Sequence, residues 1–255
     1  VGTLDDYTVK ARLWPGLMTG LPVASGLATV VPHVSWKEQL AAGMGGALVL
    51  AFLLAQIARS QGKRLESRLF ELWGGKPSVR LLRHQDTTID VHTKARYHRN
   101  IQAISRGTIR MPDPKQESDD PATADQAYEA ATKLLIARTR DQVAFPLLYK
   151  ENVNYGFHRS MLGLKPFGIS AALIGLMVSG WRLIDRVRGV QDVAGETRVM
   201  QEMAGSPLVA VVISLLMLVV WAMWVCPDWV KIPADAYAER LLEASDSLAP
   251  GMTRR

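Results

Sequence analysis

The feature that most limits what this chain can become is Ser206–Cys226 (SPLVAVVISLLMLVVWAMWVC), a run without a single charge. At 1.5 Å per residue, a helix over this run reaches about 30 Å, enough to cross the hydrocarbon core of a bilayer. Trp221 and Trp224 sit near its end and Trp229 just beyond, where aromatic rings suit the membrane–water interface. A buried helix of a soluble core is the competing reading, but such helices rarely go so long without a charge. Three more apolar stretches, Leu17–Val31, Gln39–Ala58 and Phe167–Ile184, frame a polar block from Arg59 to Lys165. The average hides this segregation, since 48% hydrophobic residues would suit a soluble protein as well.

The expected fold class is all-α: a helical membrane protein with four transmembrane helices, arranged as two hairpins flanking a mainly helical cytoplasmic domain. The divisions fall at residues 1–58, 59–165, 166–226 and 227–255. Leu17–Val31 is the weakest span, short and rich in Gly, Thr and Ser. Pro32–Glu38 reads as a turn. Gly43, Gly45 and Gly46 predict close approach of a neighbouring helix, or local flexibility. Arg59–Trp73 continues the second span as a helix, and Gly74-Gly75-Lys76-Pro77 ends it. That loop lacks the spacing and the Ser/Thr of a phosphate-cradling P-loop, so a helix cap is its role.

Further along, Ser78–His84 reads as a short strand or helix, and Thr87–Ile104 as a helix. Met111–Ala122 holds three prolines and reads as a loop. Thr123–Asp141 is a helix, with Asp125 near its start and Arg138 and Arg140 near its end, in keeping with the helix dipole. Val143–Lys165 reads as short helical pieces broken at Asn152, Asn154, Gly156 and Gly163, with Pro166 opening the next element. Ala234–Leu248 predicts an amphipathic helix, followed by a basic tail.

Lys and Arg beside the spans set the orientation. Arg59, Lys63, Arg64 and Arg68 follow span two, and Arg159 and Lys165 precede span three, so the polar block is cytoplasmic. Four spans put both termini on that side of the membrane, and the loop Asp185–Gly205 outside. The lone Cys226 cannot form an internal disulfide, so cysteine usage says nothing about redox compartment.

The net charge of +6 suits anionic lipid or a phosphate-bearing partner. The polar block alone carries nineteen Lys and Arg against twelve Asp and Glu, densest in its first half. The positive-inside rule accounts for the residues next to the spans. It accounts less well for Lys76, Arg80, Arg83, His84, Lys94, Arg96, Arg99 and Arg106, which lie further off. These eight are the candidate ligand-binding residues, because guanidinium groups grip phosphate through paired hydrogen bonds. Tyr97 among them could stack on a base. A solvated basic face is the alternative. Asn152, Tyr155 and Arg159, within ENVNYGFHR just before span three, are candidate coupling residues, or ordinary packing.

Catalysis is not expected. His84, Asp86, Asp90 and His92 could suggest a metal-dependent hydrolase, but no His or Cys pairs at zinc-site spacing accompany them. No cofactor or metal is expected. None of the spans carries a central ionisable residue, as a proton-coupled carrier would need. The remaining readings are a channel formed by oligomerisation, a membrane-disrupting effector, and a membrane anchor or scaffold that recruits a cytoplasmic partner. Small residues such as Gly20, Ala24, Gly43 and Gly46 could line a pore or simply pack.

With WGGKP, ENVNYGFHR and two hairpins around a basic domain, the chain resembles membrane effectors of bacterial nucleotide-signalling anti-phage systems. Among these it is most similar to the channel subunit of Hailong-type defence. The resemblance implies a homo-oligomeric, tetrameric ion channel in membrane lipid. It implies a single-stranded oligonucleotide or nucleotide messenger, oligodeoxyadenylate in that family, bound by the basic domains and made by a nucleotidyltransferase encoded nearby. Bound oligomer would keep the channel shut, and its loss would depolarise the membrane and kill the infected cell.

Overall fold

The computed structural model describes residues 6–30, 35–191 and 206–249, and among these all regular structure is helical, with no strand. Residues 31–34 of the expected turn, 192–205 of the expected external loop and the basic tail lie outside the described residues, and 185–191, expected to open that loop, are helical. A helical turn at Asp6–Thr8 and a π-helical segment, Val9–Leu13, lead into α1 (Trp14–Ala28). Then come α2 (Trp36–Leu72), α3 (Pro77–Arg80), α4 (Val91–Ile104), α5 (Pro114–Asp119) and α6 (Pro121–Arg138). The chain continues through α7 (Pro146–Gln191), α8 (Ser206–Val219) with a π-helical extension, Val220–Trp224, and α9 (Pro227–Leu248). It divides into two compact units: unit 1, Val1–Leu65 with Gly156–Val230, and unit 2, Glu66–Tyr155 with Lys231–Arg255.

Unit 1 packs backbone against backbone. A Cβ added to Gly16 would lie 2.6 Å from the carbonyl oxygen of Ala51, and one on Gly20 would lie 2.8 Å from Cβ of Leu50. Further along, Gly43 faces Ser25 and Ala28, and Gly46 faces Ala24. As numbers rise along α1 they fall along α2, so the two helices are antiparallel, meshed through small residues four apart. Ala47, Ala51 and Ala55 are buried in the same seam. The opposite side of α1 meets α7: Cβ on Gly175 would lie 2.4 Å from the carbonyl oxygen of Pro22 and 2.8 Å from Oγ of Ser214 on α8. Close approach thus explains Gly43 and Gly46, whereas Gly45 is exposed with nothing near it.

The large apolar side chains of unit 1 point outward. Met44, Leu48, Val49, Phe52 and Leu53 on α2, Leu173, Ile174 and Met177 on α7, and Val212, Leu215, Leu216 and Val219 on α8 are all exposed. Three helical stretches, on α2, on α7 and on α8 with its π-helical extension, are long and apolar enough to cross a membrane. α1, at 15 residues, is about 22 Å long and is not one of them.

Unit 2 is built the other way round. Leu81, Leu82, Ile101, Tyr128, Leu135, Leu241 and Leu242 are fully buried together. Burying one such leucine is worth about 1.5–3 kcal/mol, so this cluster supplies an ordinary water-excluded core. α4 contributes Tyr97, Ile101 and Ile104, at helical spacing, and starts where Asp90 accepts from the amides of His92 and Thr93. α9 contributes Ala238, Leu241 and Leu242 from one face, which bears out an amphipathic helix there, begun earlier than expected.

Two expectations need correction. Met111–Ala122 is not all loop: Pro114 and Pro121 stand in the first turns of α5 and α6, where a missing N–H costs nothing, and Asp113 and Gln116 form a capping box. Nor is 143–165 broken into pieces. α7 runs unbroken from Pro146 with Pro166 inside it. Gly156 and Gly163 mark close approaches instead, since a Cβ on them would lie 2.7 Å from the Tyr7 hydroxyl and 2.8 Å from the Gly62 amide nitrogen.

Candidate anion-binding face

The eight basic candidates divide into those fixed inside unit 2 and those left on its surface. Gly74 and Gly75 both have positive φ, +76° and +130°, a conformation open to glycine, and Gly75 N donates to the Phe70 carbonyl at 2.7 Å. This ends α2 and leaves the Gly74 carbonyl facing Arg83, whose Nη1 donates to it at 2.7 Å. The rest of the Arg83 guanidinium grips Asp125 in bidentate fashion, at 2.8 and 2.6 Å. Arg80 donates to Asp235 at 3.0 Å and lies 3.5 Å from Asp86. Lys94 is buried, and its ammonium donates to the carbonyls of Arg83, at 2.6 Å, and Asp86. Burial lowers its pKa, against the pull of Asp86 and Glu117.

His84 holds Pro112 through its Nε2, 2.9 Å from that carbonyl, while its amide donates to Glu117 at 2.7 Å. Glu117 is buried and also accepts from the Gln85 amide and, at 2.5 Å, from the Tyr128 hydroxyl. Burial opposes its charged form, but these three donors outweigh burial and hold the carboxyl below the usual range. Burial and the Glu117 carboxylate raise the Tyr128 pKa. His98 completes the cluster edge-on to His84, ring centroids 5.0 Å apart, with Nε2 2.9 Å from the Leu82 carbonyl. Burial pushes His98 down to about 4, so its ring is neutral at pH 7. Four of the expected ligand residues, Arg80, Arg83, His84 and Lys94, are therefore struts of the fold.

The surface set is Lys76, Arg96, Arg99 and Arg106. Lys76, half-buried, precedes α3 in extended conformation. Arg96 and Arg99 lie exposed on α4, and Arg106 is exposed just past its end, with φ +53°. Arg96 donates through Nε to Asp246 of α9 at 3.0 Å and lies over the Tyr97 ring at 5.4 Å. Asn100, one turn on, donates to the same Asp246 oxygen at 2.7 Å. Tyr97 itself is buried, so base stacking on its face is not available. Among the described residues, Arg99 and Arg106 make no side-chain hydrogen bond or ion pair.

The three coupling candidates all stand on α7. In unit 2, Tyr155 is buried, stacks on Tyr237 with rings 13° from parallel, and donates to Glu66 at 3.3 Å. Asn152 is half-buried on the same helix. In unit 1, Arg159 lies against Gly62 of α2. His92 is exposed on the first turn of α4, and no group of three or more His, Cys, Asp or Glu side chains among the described residues could hold a metal. Sequence reasoning missed the partners Glu117, Asp125, Asp235 and Asp246. Their signal was present in the acidic segment around Asp113–Asp125 and in the acidic side of the C-terminal helix. Compared with protein-family models, curated proteins and solved structures, the chain matches none.

Proposed function

We propose that the protein is a membrane effector in which unit 1 inserts into a bilayer and unit 2 senses a phosphate-bearing polyanion on the cytoplasmic side. The observation that carries this reading is the outward turn of large apolar side chains in unit 1, combined with buried glycine and alanine. Water would penalise that surface, and lipid accepts it. α1 then crosses as a fourth, sheltered helix, its small residues covered by α2, α7 and α8 rather than by lipid, which explains its weak apolar signal. The surface cations Lys76, Arg96, Arg99 and Arg106 are among the groups available to a polyanion, Arg96 once Asp246 lets go.

The resemblance to Hailong-type effectors favours a homo-oligomeric channel whose state is set by a bound single-stranded oligonucleotide or nucleotide, with membrane depolarisation and cell death in anti-phage defence as the outcome. A polyanion shared between subunits would shift the population of ring arrangements. Reconstituted in liposomes, the protein should pass ions, and labelled single-stranded oligonucleotide should bind with an affinity that falls with salt. Ion-tight liposomes in the presence and absence of oligonucleotide would defeat the channel. One observation favours a second reading, a non-channel anchor or scaffold: the small residues that could line a pore are spent on α1–α2 packing. Binding without flux is its signature.

A further inference from the structure

We propose that Arg96 and Asn100 form an oxyanion-binding fork on α4, made for a phosphate oxygen of a polyanion, and that Asp246 is its built-in competitor. The proposal rests on the anion-binding reading of unit 2 and adds where the ligand is gripped and what limits its grip. Residues four apart on a helix lie side by side, and here both donors converge on one oxygen: Arg96 Nε at 3.0 Å and Asn100 Nδ2 at 2.7 Å from Asp246 Oδ1. A charged and a neutral N–H that converge on one carboxylate oxygen suit a phosphate oxygen in the same place. Arg99 stands exposed beside the fork on the same helix, and Arg106 just past its end, so a ligand with several phosphates finds further cations there while a single carboxylate does not.

Asp246 is placed to yield. The Arg96 and Asp246 side chains are 45% and 32% exposed, so water and salt screen their attraction, and such pairs break cheaply. α9 does not depend on the pair for its place, because Ala238, Leu241 and Leu242 are buried in the unit 2 core. Exchange of carboxylate for phosphate therefore needs two side chains to turn and no helix to leave. The carboxylate keeps the fork hydrogen-bonded when empty and sets a threshold that weakly charged anions do not cross.

The test is binding of a fluorescein-labelled single-stranded oligonucleotide to the full-length protein in detergent near physiological salt, with inorganic polyphosphate as competitor. Asp246→Asn should tighten binding about two- to fivefold, the worth of one solvated charge pair. Glu129→Gln, which breaks the exposed Glu129–Lys133 pair on α6 with the same change in net charge, should tighten it less. Adding Arg96→Gln or Asn100→Ala to Asp246→Asn should remove the gain. A gain no larger than that of Glu129→Gln, or one that survives loss of Arg96 and Asn100, overturns the fork. If Arg99→Gln weakens binding while Asp246→Asn changes nothing, the anion-binding reading stands and the fork falls. If neither the wild type nor any variant binds the probe, both fall together.

Discussion

Leu216 in unit 1 is 58% exposed while Ala47 is fully buried; in unit 2 Leu241 is fully buried and the surface is set with arginine and carboxylate. The two units apply opposite rules to the same side chains. In water the core forms from the largest apolar groups, because each removes the most area from solvent. Where the surroundings are as apolar as leucine itself, that drive vanishes, and the residues that allow backbones to touch win instead. The difference teaches that inside and outside are properties of the solvent as much as of the residue.

The sharpest way to break this contrast is to make one substitution in both places. Leu241→Ala should lower the unfolding free energy by about 2–5 kcal/mol, whereas Leu216→Ala in detergent or lipid should leave it nearly unchanged. Equal costs would remove the contrast. Next in size is a pH effect confined to unit 2. His98 is held at about 4, below its ordinary 6.5, so between those values the unfolded chain binds the extra proton. Stability is then full above pH 6.5 and falls, by about 3 kcal/mol, as pH drops toward 4. Hydrogen exchange corrected for intrinsic rates should show unit 2 peptides losing protection over that window. His98→Gln should flatten the loss.

Glycines offer a smaller but cleaner comparison. Cβ added to Gly168 would sit 2.2 Å from the Trp221 ring, while one added to Gly45 would meet nothing within 4 Å. Gly168→Ala should cost about 1–3 kcal/mol through overpacking, and Gly45→Ala should cost nothing, as thermal unfolding in detergent would record. Smallest of all, Asp246→Asn should leave the unfolding midpoint where it is, its effect appearing in anion binding alone.

Period and punctuation made the helices legible: α2 continues to Leu72 and stops at Gly74-Gly75, as the pattern at Arg59–Trp73 and the double glycine required. Proline was the less readable signal. Pro114 and Pro121 start helices and Pro166 sits inside one, and only the neighbouring N-caps and packing decide between those roles. The candidate site was half legible. A count of cations located the basic block, but nothing local in the sequence revealed that Arg80 meets Asp235 or that Arg83 meets Asp125, since such partners are joined by tertiary packing across many positions. Glu117 sat in a segment read as loop, and its burial against Tyr128 could not be anticipated from composition.

The seam between α1 and α2 has a further consequence for how the protein can change over generations. Gly16, Gly20 and Gly43 have no smaller residue to become, so every replacement adds atoms to a contact already closed to within a few ångströms. Drift at these positions runs in one direction only and ends in collision, while the outward leucines and valines are interchangeable with their kin. In unit 1, the plainest residues are the ones with the least freedom to vary.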